Sequence, residues 1–514
     1  MRRIRIAALL VLAALALMFA MPALATGSLA SGTPTPASPM PGMDGGSMPA
    51  ERLQAMIEAA PEGSTVSIPA GTYLGHVVID KPLTLTGQGM PTLDGQGVNG
   101  SVLTVRAPDV SVSGFMIHGS GAGPIGAPSG VMVAGADRTH LSNLTIMRSY
   151  MGITVRAATG VVIDHVTIDG PAEAAITGEL HAVTTNPSAA MSDMPGMAPS
   201  PSAPMPGATI LRGDGIWLWN TRTATVRDCI IRNVRDGVYL TYGVDPVLER
   251  NQILNGRYAV HDMYATGLTL GGNTVTGNLS GFVLMYGGPV VMTDNAITES
   301  GSAATGYGVL VMNVAGVTMD GNLIADNRVG LHLDNAGRTG PEGMTLTGNT
   351  IAMNQLGMLI YPSTEAVFTK NAFVENTDQV ALGGEGTTLA SWESGGVGNY
   401  WSDYGGYDAN RDGIGDVPYV QSGRLSTLLE QNPDLGALSS GPAFRLMSAV
   451  SDRWAPTHPL VTDPHPLMRA PALSFRVDRP GGAAPLWIPG LLLVAVSVWF
   501  LARARRPRRR VAHG

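Results

Sequence analysis

Only one cysteine, Cys229, stands in the 514 residues. That excludes an intrachain disulfide framework, so the fold must be held by packing alone. Charged residues are scarce, at 14%, and the formal net charge is -7. Because that total includes a basic C-terminal run, the rest of the chain is more acidic still, and nothing points to nucleic acid. Clustered acids of the kind that sugar-cleaving enzymes display are also missing; Gly213-Asp214-Gly215 comes nearest. Glycine, by contrast, is abundant at 66 residues, which fits one long repeat domain with tails rather than several globular domains.

The repeat runs from Gly213 to about Asn376. Small residues recur at Gly215, Gly237, Ala259, Gly281, Gly308, Gly330 and Gly357, in steps of 22 or 27 residues. Asn251, Asn273, Asn295, Asn322, Asn349 and Asn371 run in phase with them, and Asp228 takes the same slot one turn earlier. An aliphatic residue two positions on completes the unit, as at Ile253 and Val275. Turns of this length cannot bury their apolar side alone and must stack, with strands pairing at about 4.8 Å. The expectation is an all-β, right-handed parallel β-helix. Asparagine suits its tight turns by tolerating left-handed backbone, and glycine lets the chain turn without a Cβ clash. Propeller blades would need about 40 residues per repeat.

The flanks have distinct compositions. Residues 1–25 read as a signal peptide, with Arg2, Arg3 and Arg5 before an apolar core and a small-residue cleavage site. Residues 26–49 form a Met/Pro/Gly-rich linker, and an amphipathic helix from Ala50 is expected to cap the solenoid that fills 50–397. An insertion at about 172–211 interrupts it. A C-terminal extension (398–470) and a linker (471–484) lead to an apolar span at 485–502, of minimal length to cross a bilayer. The arginine-rich tail 503–514 places that end in the cytoplasm.

Two segments carry candidate metal ligands. Met40-Pro41-Gly42-Met43 in the linker and Met194-Pro195-Gly196-Met197 in the insertion repeat one tetrapeptide, with Met48, Met191 and Met205 nearby. Thioether sulfur suits Cu(I); the alternative is a spacer in which methionine is incidental. Asp408, Asn410, Asp412 and Asp416 have the alternate oxygen spacing of a calcium loop, but Tyr419 stands where its bidentate glutamate should be.

Strand alternation puts positions one and three after each small residue inside. Positions two and four then face out, and they include Trp217, Trp219, Tyr239, His261, Met263, Met285 and Met312. That strip is too apolar for plain solvent. It reads as a docking face for a protein, as a soft metal site built on His261, Met263 and Met285, or as a surface covered by the insertion.

Several segments resemble the NosD family: Arg235-Asp236-Gly237-Val238-Tyr239-Leu240, Tyr258 to Tyr264, Gly281 to Tyr286, Gly330 to Ala336 and Gly398-Asn399-Tyr400-Trp401-Ser402-Asp403-Tyr404. The resemblance covers roughly residues 50–470. It implies an exported β-helix accessory protein for nitrous-oxide reductase maturation and no catalytic residues. Its implied partners are an ABC transporter (ATPase and permease), a copper chaperone and the reductase, with copper as transient cargo. The membrane anchor and the Met-rich insertion depart from the usual family pattern. The rival class is a carbohydrate-active β-helix, a lyase, hydrolase or binding protein.

Overall fold

The computed structural model describes residues 47–171, 212–421 and 459–472, apart from 99, 122, 124, 125, 302–305, 338–342 and 385. The signal peptide, the insertion, the C-terminal span and tail, and all the candidate methionines of the two tracts except Met48 lie outside the described residues. Among the described residues no helix is long and apolar enough to cross a membrane.

The chain winds through three parallel sheets of 14, 12 and 12 strands, each strand pairing with its equivalents one turn before and after. It is a parallel β-helix. Short apolar stretches make this possible: strands of two to six residues turn alternate side chains into the core, and Val238, Val260, Phe282, Val309 and Leu331 stack as one column of it. Helix α1 (Ala50–Ala59) closes the N-terminal end by burying Ala50, Leu53 and Ile57. Gln54 satisfies the backbone of the edge strand Val77–Ile79: its Oε1 accepts from Val78 N–H at 2.9 Å and its Nε2 donates to Val78 O at 3.1 Å. An open edge is thereby paired by a side chain. Met48 is not part of a free linker. It pairs with Tyr73 as a first strand, and its sulfur accepts from Arg52 Nη1 at 3.4 Å.

The asparagines do something other than bend the chain. The left-handed residue is the one before each of them, as at Arg250 (φ 51°), Asp294 (φ 53°) and Lys370 (φ 57°). The asparagine itself points inward, and its backbone N–H and Nδ2 both donate to Oδ1 of the next asparagine at 2.8–3.1 Å, from Asn251 through to Asn399. Asp228 therefore belongs to the turn slot. Cys229 occupies the asparagine slot, and its N–H donates to Asn251 Oδ1 at 3.1 Å. Buried there, the thiol is pushed up to about 12, so it is neither a nucleophile nor a ready metal ligand. The recurring glycine is needed for close approach rather than for turning: a Cβ on Gly281 would stand 2.3 Å from Gly308 O.

Candidate functional site

One 12-stranded sheet carries the outward strip, on strands Ile216–Trp219, Asp236–Thr241, Tyr258–Met263, Ser280–Met285, Tyr307–Met312 and Val329–Asp334. In-register pairing stacks two columns of outer side chains. The first runs Trp217, Tyr239, His261, Val283, Leu310, His332; the second runs Trp219, Thr241, Met263, Met285, Met312, Asp334. Three thioethers therefore occupy consecutive turns, at a strand spacing of about 4.8 Å.

Aromatic rings border this file on both sides. Tyr239 stacks on His261 at 4.6 Å and on Trp217 at 6.3 Å, and Arg156 lies over Trp217 at 5.1 Å. On the turn beyond the methionines, Tyr242, Tyr264 and Tyr286 stack at 5.2 and 5.3 Å, all with left-handed backbone. Bulky residues seldom adopt that conformation, so three in succession mark a built feature.

The strip does face away from the solenoid core, but it is not the continuous exposed surface that alternation alone implies. Trp219 is 37% exposed, whereas Tyr239, His261, Met263 and Met285 are buried. Val283, Met285 and Leu310 form a second apolar cluster outside the main core, with Tyr258, Tyr286, Tyr307 and Met312 packed on it. Stacking turns the outer side chains against one another, and long rings and thioethers cover their neighbours.

Beneath the first column lies a chain of buried ion pairs. Arg235 grips Asp214 with bonds of 2.8 and 2.9 Å, and Arg257 grips Asp236 with 2.9 and 2.7 Å. Asp236 also accepts from His261 Nδ1 at 3.0 Å. Burial opposes its charge, but Arg257 and His261 together hold the carboxyl well below the usual carboxylate range. At Asp214 burial wins and pushes the carboxyl up despite Arg235, but both of its oxygens are engaged by that guanidinium. The Asp236–His261 bond fixes the imidazole with Nε2 as its second nitrogen, the arrangement that orients histidines toward soft or borderline metals.

His332 differs from His261. It is buried, its two ring nitrogens have no hydrogen-bond partner among the described residues, and burial pulls it down to about 4. Tyr307 presses edge-on at 4.8 Å and Tyr361 lies at 5.4 Å. Sequence reading singles out neither this histidine nor the ion pairs. The signal for the pairs is an Asp before one small residue and an Arg two before the next.

Asp262 points the other way, into the core between Leu240 and Leu284. Its Oδ1 accepts from Ala265 N–H at 3.2 Å, while Oδ2 has no partner among the described residues, and burial pushes the carboxyl up to about 7. A raised value means that the folded state favours the proton. The protonated form is therefore fully compatible with the fold below the unfolded value near 4, and stability falls as pH rises through about 7. Asp262→Asn keeps the acceptor and removes the charge. In metal-free protein it should be about 1–3 kcal/mol more stable than wild type at pH 8 and nearly equal at pH 4, measured by denaturant unfolding. A loss of stability at pH 8 would mean that the carboxylate has a partner.

At the far end, the acidic loop spends its oxygens on its own backbone. Asp408 Oδ2 accepts from Gly413 N–H at 2.9 Å, Asp412 Oδ1 from Ile414 at 2.8 Å and Asp416 Oδ2 from Ala409 at 2.6 Å, while Asn410 Nδ2 donates to Asp412 Oδ2 at 2.9 Å. No group of three or more His, Cys, Asp or Glu converges on a point among the described residues, in this loop or elsewhere.

Comparison with known proteins agrees with the ladder segments. Residues 200–406 match the family described as "NosD: Periplasmic copper-binding protein (NosD)". The "Probable ABC transporter binding protein NosD" of Stutzerimonas stutzeri is 28% identical over 425 residues, covering 80% of this chain and 88% of the relative. Its namesake in Pseudomonas aeruginosa is 28% identical over 457 residues, covering 80% and 89%. Among solved structures, the Azotobacter vinelandii mannuronan C-5 epimerase AlgE6 A-module covers 67% of this chain and 93% of its own at 16% identity and a TM-score of 0.46, a likeness too distant to bear on activity. The family match includes the methionine-bearing strands and the relatives' matches span most of both chains, so this protein is similar to the NosD family.

Proposed function

We propose that this protein is a periplasmic copper-handling accessory factor whose outer strip holds Cu(I) transiently. The observation that carries this reading is the file Met263–Met285–Met312 in consecutive turns, with His261 two residues from Met263 and oriented by Asp236. Thioether and imidazole donors in an apolar setting favour Cu(I) over hard cations. Tyr239 Oη reaches Met263 Sδ at 3.7 Å, so the sulfur already has a polar neighbour to exchange for a metal. Copper is cargo in this scheme, received from a copper chaperone and passed toward the copper centres of nitrous-oxide reductase. An ABC transporter is the membrane partner, as the relatives' name suggests, and the span at 485–502 serves as an anchor beside it. Trp217, Trp219, Tyr239 and Met312 form the docking edge; Trp219 and the 44%-exposed Tyr242 offer its accessible aromatic surface. The Met-Pro-Gly-Met tracts would supply further thioethers.

The experiment is Cu(I) competition against a chromogenic chelator with the full exported chain. Wild type should take up Cu(I) and leave Zn(II) largely unbound. Replacing Met263, Met285 and Met312 by leucine keeps the bulk and should weaken Cu(I) binding by about tenfold or more. Unchanged uptake would move the cargo site to the methionine tracts or off this protein.

A further inference from the structure

The thioether file does not end in solvent. Met312 pairs with Asp334, and Leu310, two residues before Met312, pairs with His332 in the next turn. Tyr307 joins the two places: it packs on the cluster that includes Met312, and its ring meets the His332 ring edge-on at 4.8 Å. His332 is also an anomaly by itself. A buried imidazole ordinarily spends at least one nitrogen on a hydrogen bond. Here neither nitrogen has a partner among the described residues, while Tyr307 and Tyr361 restrain the ring. The equivalent outer position holds His261 three turns earlier, with only Val283 and Leu310 between them in that column. The two histidines therefore flank the three methionines, one at either end.

We propose that His332, with Met312, is a second Cu(I) station at the C-terminal end of the file, so that the ion can pass between two imidazole-ended positions across the methionines. The inference rests on the copper reading above, but it makes a separate claim about a residue which that reading does not need. A metal ion would supply what the neutral ring lacks, a partner for a nitrogen lone pair. The intervening thioethers supply successive ligands of one softness, so exchange from turn to turn needs no change of ligand class.

The test is the stoichiometry and affinity of Cu(I) alone, by chelator competition, together with X-ray absorption to count nitrogen and sulfur neighbours. Wild type should hold two equivalents. His332→Leu should lose one of them, or bind it about tenfold or more weakly, and the nitrogen share of the copper shell should fall. Because leucine suits the apolar surroundings, its melting temperature should match or exceed that of wild type. Met312→Leu, which leaves the imidazole in place, should weaken the same equivalent and thereby give an independent reading. If wild type binds Cu(I) through the methionines and both variants keep two equivalents and the same spectrum, the second station is wrong and the copper reading stands. If wild type binds no Cu(I), both fall together.

Discussion

Arg257→Ala should destabilise the protein by about 3–5 kcal/mol, the cost of leaving a buried charge without its partner. Asp236 is fully buried and takes both of its strong bonds from the Arg257 guanidinium. Without that group the carboxylate keeps only His261. Two responses are open to it, protonation or water entry, and each loosens the turn. In a solenoid every turn touches only its neighbours, so the defect should divide the stack. Urea unfolding should broaden or resolve into two steps, one for the turns before Asp236 and one for those after. The pair itself is not a large net source of stability. Changing both partners, Asp236→Asn with Arg257→Met, should recover most of the loss, because nothing charged is then stranded. Asp236 also sets a pH limit. Its folded value is depressed, so its contribution is present above the unfolded value near 4 and is lost as pH falls toward the folded one. Asp236→Asn should in addition weaken Cu(I) binding by about tenfold or more, since the imidazole loses the carboxylate that fixes it. An Arg257→Ala variant with unchanged unfolding would mean that the pair is solvated in solution.

The parallel β-helix was legible because stacking imposes a period on the chain, and glycine and asparagine keep that period wherever backbones come close or side chains form a ladder. The reason for each was harder to read. Asparagine is compatible with a left-handed turn and with an internal ladder, and composition cannot separate the two. Only the neighbours do so, since Arg250 and Lys370 take the turn conformation that asparagine also tolerates. The face of Met263 and Met285 was legible from alternation, but its burial was not. Exposure depends on how far rings such as Tyr258 and Tyr307 lean across adjacent turns, and no single strand encodes that. The Arg–Asp pairs lie 21 residues apart and become a unit only when the turns stack. Alternation places His332 on the outward face, but what sets it apart, ring nitrogens with no hydrogen-bond partner among the described residues, is a property of its surroundings.

Asp463→Ala should open the C-terminal end of the solenoid. The asparagine ladder is directional: each amide donates to the next turn's Oδ1, so its dipoles align from Asn251 to Asn399. Aligned chains of this kind strengthen one another, and a charged acceptor at the donating end is the favourable terminus. Asp463 occupies that place. Its Oδ2 accepts from Asn399 N–H at 2.7 Å and from Trp401 Nε1 at 2.9 Å, and its Oδ1 accepts from His465 N–H at 3.0 Å. Alanine would leave these donors without an acceptor in a setting where Asn399 and Trp401 are buried. Each such donor costs about 1–3 kcal/mol, so a combined loss of about 3–5 kcal/mol is expected. Trp401 also stacks on Phe373 and Tyr419, each at 4.3 Å. The strand Val461–Asp463, which pairs with Tyr419–Gln421, closes over this stack. Once the carboxylate is gone, tryptophan fluorescence should shift toward that of solvated indole, and amide exchange should quicken in the turns from Phe368 to Trp401. Asp463→Asn retains one acceptor but turns an amide toward the same donors, so its loss should fall between alanine and wild type. The methionine file ends at Met312, several turns away, and should bind Cu(I) as before. A fall in Cu(I) affinity equal to that of the methionine variants would mean that the ladder transmits strain along the whole solenoid, contrary to nearest-neighbour coupling.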